Sequence, residues 1–373
     1  MSIDNLYYQL KQEMSKKMLE KDAVENLLGW YRKYKRDLPW RATQDPYRIW
    51  VSEIMLQQTR VEAVKPYYER FMKALPSVRA LAEADEELLL KLWEGLGYYS
   101  RARNLQKAAK TILAEHGGEL PHSYEELRKL SGIGEYTAGA IASIAYGIPV
   151  PAIDGNVLRV LARVMGSSED IMLPQTKKKW RAELADCIPT EAAGDFTQAM
   201  IELGATVCVP NGEPKCSECP LRLVCVASKE GRTAEIPVRA AKKARRIEER
   251  TVFVIADGNR TVLGKRPAKG LLAGLYELPN TLGYLDETQA VAHLRSIGFE
   301  PLRLKRLEDA KHIFSHIEWH MMAYAVQVSP DFDGVDEKWG YSFLENEDLK
   351  AHYAIPSAFS AYSSYLDKDA FLK

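Results

Sequence analysis

A change of periodicity near residue 240 constrains this chain more than any other feature. From about Asp4 to Ser228, apolar residues recur at three- and four-residue spacing with Gly or Pro between segments, the pattern of successive amphipathic helices. Helices are expected over 47–64, 66–74, 100–116, 136–146, 156–164 and 197–206, with Pro46 and Pro66 at helix starts and Gly117-Gly118 at a stop. Beyond a basic run the texture changes. Residues 251–266 read as two strands about an Asp-Gly-Asn turn, and 318–328 as another strand followed by an Asp-rich loop. A mainly α-helical N-terminal part and an α+β C-terminal domain are expected, and 373 residues suit two or three domains.

Hydrophobic residues make up 46% and charged residues 27%, which excludes a disordered or collagen-like chain. No apolar run approaches the ~18 residues of a membrane span. The start, Met1 to Asp22, is polar and lacks the apolar stretch of a secretory signal. Four of the five cysteines crowd into 208–225, which argues against a disulfide framework and for a metal site in a reducing compartment. A soluble cytoplasmic protein without membrane contact is expected. With 51 Lys+Arg against 51 Asp+Glu, total charge does not point to nucleic acid. The run 239–250, with six Lys/Arg against two Glu, reads as a solvated linker or as a linker lying along phosphates.

Cys208, Cys216, Cys219 and Cys225 have the spacing C-x7-C-x2-C-x5-C. Four thiolates at this spacing can enclose zinc or a [4Fe–4S] cluster, and spacing alone does not choose. Cys187, outside the group, reads as a small buried hydrophobe. In Leu130–Ala138 a G-x-G (Gly132, Gly134) separates two helical patterns; such a turn brings backbone N–H groups to a helix mouth and resembles helix-hairpin-helix modules that grip a DNA phosphate. Asp154 precedes a helix, where an N-cap is the commonest role of aspartate; the same position also keeps a carboxylate ionised beneath a developing cation. Glu53, from periodicity alone, reads as an exposed surface carboxylate, although Trp50 and Leu56 one turn away would raise its pKa.

The segments LPWR (38–41), SEIMLQQTRV (52–61), WEGLGYYSRARN (93–104), the hairpin, AIDGNVLRVLAR (152–163), IELGA (201–205) and the four cysteines together resemble the adenine DNA glycosylases of the endonuclease III superfamily, in order across nearly the whole chain. The resemblance implies a helix-hairpin-helix glycosylase fold whose four cysteines hold a [4Fe–4S] cluster. It implies removal of adenine mispaired with 8-oxoguanine or guanine in duplex DNA, by a nucleoid-associated monomer. The domains it implies are an iron–sulfur helical domain (1–37 and 149–231), a six-helix domain with the hairpin (38–148), a basic linker (232–249) and a Nudix-like 8-oxoguanine recognition domain (250–373).

Cleaving an N-glycosidic bond puts positive charge on the sugar and negative charge on the departing base. By resemblance Glu53 is the general acid toward adenine N7 and later assists the water. Asp154 stabilises the cation, directly or through a covalent sugar intermediate, and Tyr136 and Asn156 orient Asp154. Gln198 reads the flipped adenine, and Trp40 and Arg41 edge its pocket. Gln58 and Tyr98 are wedge residues, and Gln57, Thr59, Leu96, Gly132 and Gly134 complete the DNA-contacting set. Lyase members of the superfamily carry a lysine in the hairpin, where this chain has Tyr136; the nearest lysine is Lys129, so a monofunctional glycosylase is expected.

In the last domain, GLLAGLYELP (270–279) echoes the start of the Nudix signature, but its metal-binding Arg-Glu-x-x-Glu-Glu is absent, so the domain is expected to bind and not hydrolyse. Phe314, Ser315 and His316 resemble the loop that touches the oxidised base. Departures are a first cysteine gap of seven residues where six is more usual, Ser131 in place of a proline, and an N-terminal extension expected to add a helix. The rival readings are a bifunctional pyrimidine-lesion glycosylase-lyase, a non-catalytic iron–sulfur DNA-binding protein and a nucleotide pyrophosphatase.

Overall fold

Residues 18–240, 244–330 and 340–366 are described by the computed structural model. The helix expected within residues 1–20 and the Asp-rich loop after Val328 fall largely outside them. Two compact units are formed. One takes the described residues up to Glu83 and from Asn104 to 240; the other takes Ala84–Arg103 and the described residues from 244 onward.

In the first unit the expected helices Glu135–Tyr146, Gly155–Met165 and Ala193–Thr206 form within a few residues of their sequence bounds. The helix expected over 47–64 is instead two, Pro46–Leu56 and Val61–Ala74. Pro46 at the first turn and the Asp45 carboxylate accepting from Tyr47 N (2.9 Å) start the first of these. It stops where Gln57 leaves the helical region with ψ 111° and Gln58 follows with a left-handed φ of 58°, so the helical ladder ends there. Pro66, expected as a start, lies inside the second helix. It sits on the solvent face, where its missing N–H is tolerated, while Val64, Tyr68 and Phe71 bind the other face to the interior.

Leu27 and Tyr31 of the helix Lys21–Tyr34, Val157 and Leu161, Trp180 of Pro174–Ala185, and Phe196 and Leu203 share one core. Cys187 is buried in it as a small hydrophobe. Each large side chain so buried stabilises the fold by roughly 1.5–3 kcal/mol. The helix Ala193–Thr206 approaches the start of Gly155–Met165 so closely that a Cβ on Gly204 would stand 2.6 Å from Asn156 Cβ, and only glycine fits.

The second unit is built on a seven-stranded mixed sheet: β1 Arg246–Ala256, β2 Arg260–Lys265, β3 Tyr276–Glu277, β4 Asn280–Leu282, β5 Arg303–Ile313, β6 Ile317–Gln327 and β7 Tyr341–Glu345. The main order is β3-β2-β1-β6-β5, with β4 on β1 and β7 on β2. β1 and β6 are parallel and the other pairs antiparallel. Along β1, Val252 and Val254 point into one core with Trp319 and Phe359, while Phe253 and Ile255 point into another with Leu294 of the helix Glu287–Ser296. A strand buried on both faces reads as an unbroken apolar run, as here.

Two sequence boundaries shift. The run 239–250, read as a linker, enters the sheet at Arg246, because β1 pairs with β6 from Arg246↔Ile317 onward even though its first residues are charged and mostly exposed. Residues 84–103, expected within a contiguous 38–148 domain, pack in the second unit. There Lys91 Nζ donates to Tyr353 O (3.1 Å) and Ile355 N to Glu94 Oε1 (2.8 Å). Among the described residues no helix is long and apolar enough to cross a membrane.

Candidate active site

A cavity of about 710 Å³ in the first unit is lined by Glu53, Tyr136, Asp154, Asn156, Trp40, Arg41, Gln57, Gln58, Thr59, Gly132, Gly134 and Gln198. These come from five separated stretches of sequence. Glu53, expected from periodicity to be exposed, is only 7% exposed. Every residue of its helix from Ile49 to Met55 is buried, including Trp50, Val51, Ile54 and Met55, so this stretch has no solvent face for Glu53 to occupy.

The helix Glu135–Tyr146 begins beside that carboxylate. Tyr136 OH donates to Glu53 Oε2 at 2.7 Å. The sequence reading has Tyr136 orient Asp154; it lies in the electrostatic field of Asp154, and its hydrogen bond goes to Glu53. Burial pushes Tyr136 well above the usual tyrosine range, so it remains a donor. Burial also pushes Glu53 up to about 7, with the hydrogen bond from Tyr136 opposing, Asp154 adding to the rise and Arg41 opposing it.

Asp154 caps the helix Gly155–Met165, as its position suggested. Its Oδ1 accepts from Asn156 N (2.9 Å) and Val157 N (2.8 Å), and its Oδ2 from Asn156 Nδ2 (2.7 Å). Burial raises its pKa on balance, with these three donors, Arg159 and the positive end of the helix dipole opposing the rise. The two carboxylates of one cavity therefore differ in kind. Glu53 has a single hydroxyl donor and holds its proton near neutrality, whereas Asp154 has three donors to an anion.

Gly132 takes φ 77° in the hairpin, and a Cβ there would meet Asn104 Cβ at 2.8 Å. Gly134 caps the helix Glu135–Tyr146 without a side-chain acceptor. Gln57 Nε2 donates to Thr137 Oγ1 (3.3 Å), Thr59 Oγ1 to Gln57 O (3.4 Å) and Gln198 Nε2 to Gly194 O (3.4 Å).

In the second unit, Leu96, Tyr98, Phe314, Ser315 and His316 line a pocket of about 690 Å³. Tyr98, with a left-handed φ of 47°, has its hydroxyl 2.9 Å from Ser315 Oγ. Phe314 stands edge-on to His312 (4.6 Å) and Trp319 (4.9 Å), which fixes the loop from beneath.

Cys208, Cys216, Cys219 and Cys225 line a third, small cavity in the first unit. Arg163 Nη1 donates to Cys208 Sγ (3.3 Å). Burial pushes the Cys219 thiol up to about 12, and the three neighbouring sulfurs add to the rise. Four sulfurs gathered around one small cavity are costly as bare thiolates and are stabilised by bound cations, so this donor set fits a metal centre. Among the described residues no group of three or more His, Cys, Asp or Glu side chains is already drawn together closely enough to hold a metal ion.

Several residues of this region were not singled out from sequence. Arg159 joins the two sites: it donates to Asn156 Oδ1 (2.9 Å), Gly204 O (2.7 Å) and Cys208 O (2.7 Å). Glu202, fully buried, holds Arg36 and Arg41. The available signal was the same in each case, a charge inside an otherwise apolar helical run: GNVLRVLARVM for Arg159 and Arg163, and AMIELGA for Glu202.

Residues 51–190 match the HhH-GPD superfamily of base excision DNA repair proteins, and residues 251–364 match the NUDIX domain. A solved thermostable thymine-DNA glycosylase superposes with a TM-score of 0.51 at 27% identity, covering 56% of this chain and 95% of that one. Fold and site thus define a base-excision DNA glycosylase of the helix-hairpin-helix class carrying a Nudix-like second unit. The adenine DNA glycosylase of Mus musculus is 37% identical over 361 residues, covering 81% of this chain and 70% of that protein. That of Buchnera aphidicola subsp. Baizongia pistaciae (strain Bp) is 34% identical, covering 79% and 82%. The chain belongs to the adenine DNA glycosylase family.

Proposed function

We propose that this enzyme hydrolyses the N-glycosidic bond of adenine mispaired with 8-oxoguanine or guanine in duplex DNA. The observation that carries this reading is the pairing of a near-neutral Glu53 with a three-donor Asp154 on one cavity. Tyr136 occupies one oxygen of Glu53. The other is available to deliver a proton to N7 of an adenine flipped into the cavity, so that the base leaves neutral. Asp154 then faces the cationic sugar, and Glu53, now anionic, takes a proton from the attacking water. Trp40, Arg41 and Gln198 would bound and read the adenine, and Gln57, Gln58, Thr59, Gly132 and Gly134 would contact DNA.

Among the described residues the cavity lining contains arginines but no lysine, so none of them offers an amine for a Schiff base, which supports a monofunctional glycosylase. By family resemblance the enzyme would act as a monomer in the cytoplasm, at the nucleoid. Cys208, Cys216, Cys219 and Cys225 would hold a [4Fe–4S] cluster. Four thiolates accept either group, and the family resemblance favours the cluster over zinc. The cluster would supply a structural clamp for the loop. Tyr98, Leu96, Phe314, Ser315 and His316 would recognise the oxidised partner base, with the polar Ser315 and His316 supplying hydrogen bonds.

The test is single-turnover release of adenine from duplexes carrying guanine, 8-oxoguanine or thymine opposite it. Release from the first two and fastest from the second is expected. Rates independent of the opposing base would remove the role given to the second pocket, and strand cleavage trapped by borohydride would favour the lyase reading.

A further inference from the structure

We propose that Glu202 is a positioning residue for base release: it clamps the Arg36–Arg41 segment from outside the substrate's reach and balances the cation that Arg41 brings to the cavity wall beside Glu53. The inference rests on the adenine-release reading. Glu202 belongs to the helix Ala193–Thr206 and is 0% exposed. Its Oε1 accepts from Arg36 N (3.0 Å) and Arg36 Nε (2.8 Å), and its Oε2 from Arg36 Nη2 (2.7 Å) and Arg41 Nη2 (2.8 Å). Arg41 Nη1 also donates to Arg36 O (3.1 Å), closing the clamp.

Burial works against the Glu202 anion, but the two guanidiniums outweigh it and hold the carboxyl down at about 2, so it is charged at any working pH. Arg36, Arg41 and Glu53 all line the catalytic cavity, whereas Glu202 is enclosed behind them. The groups facing Glu53 are Tyr136, Asp154 and Arg41, and those facing Glu202 are Arg36, Arg41 and Tyr31. Arg41 is the cation that favours loss of the Glu53 proton. An anion fixed on that guanidinium offsets its field, and replacing it with a neutral group leaves two uncompensated cations at the wall. A carboxylate retained only for packing would be poorly chosen here, since an apolar side chain fills such a site without desolvation cost.

The experiment is the pH profile of single-turnover adenine release for the wild type and Glu202→Gln. A second variant, Glu202→Gln with Arg36→Met, removes one cation with the anion and serves if the first fails to fold. The alkaline limb is expected to move down by about one pH unit in Glu202→Gln. It moves by a smaller amount in the double variant, where the loss of one cation offsets part of the loss of the anion. Release by Glu202→Gln then slows roughly tenfold at pH 8 and stays near the wild-type rate at pH 5.5. A purely structural role lowers the rate by one factor at every pH, and that result, or an unmoved limb, overturns the proposal. If the wild type releases no adenine, the functional reading falls instead. The pH dependence of thermal stability then still reports the Glu53 titration, and an unshifted midpoint there overturns the clamp.

Discussion

Glu53→Gln is expected to lower single-turnover base release by about 10³-fold or more, and at the same time to raise thermal stability above pH 7. Both effects follow from one buried carboxyl. Glutamine keeps the shape of a protonated glutamate and can still accept from Tyr136, so substrate affinity should persist while the transferable proton is gone. The stability effect has a definite sign. Burial raises the folded-state pKa from 4.5 to about 7, so the native protein keeps a proton that the unfolded chain has already lost between those values. Stability therefore falls as pH rises through that window, by roughly 3 kcal/mol in total at pH 8. Glutamine removes the penalty, and the variant should melt higher at pH 8 and like the wild type near pH 4. A variant that retains the wild-type rate would show that Glu53 is a buried structural acid only.

Asp154→Asn separates the two roles of the second carboxylate. Asparagine caps helices about as well as aspartate, so the helix Gly155–Met165 should remain and stability should change by less than ~1 kcal/mol. The anion beneath the developing sugar cation is lost, and release should fall by about 10²–10³-fold. Asp154→Ala should cost roughly a further 1 kcal/mol of stability with the cap. Thermal melts beside single-turnover rates check both. If the Asp154→Asn variant released adenine normally, Asp154 would be a cap and nothing more.

Much of the helical unit was legible because its helices alternate apolar and polar faces, and Gly155–Met165 and Ala193–Thr206 announce themselves in this way. Glu53 was not legible from that signal. Periodicity assumes one wet face, and the stretch Ile49–Met55 around it has none. The break at Gln58 escaped detection because a left-handed glutamine carries no composition mark; such strain is held by the surrounding fold. The partner of Tyr136 depends on how two helices distant in sequence cross, and spacing within one helix says nothing of it. The charged start of β1 was hidden for a related reason. Arg246–Arg250 have no strand signature, and their partners in β6 lie about 70 residues further on, where a long-range pairing overrides local propensity.

The convergence of Trp40, Glu53, Tyr136, Asp154, Asn156 and Gln198 on one cavity was expected from motif resemblance, and no single stretch of sequence contains it. Glu202 shows the opposite case. It sits inside a quoted motif, yet its contribution becomes visible only once Arg36 and Arg41 are seen wrapped around it.

The central claim is that one buried carboxyl acts as the proton donor, and the pH dependence of single-turnover adenine release by the wild type tests it most directly. The rate should hold a plateau up to about 7, where Glu53 titrates, and then fall about tenfold per pH unit. A rate that stays flat or rises from pH 7 to 9 would contradict the assignment of Glu53 as the acid.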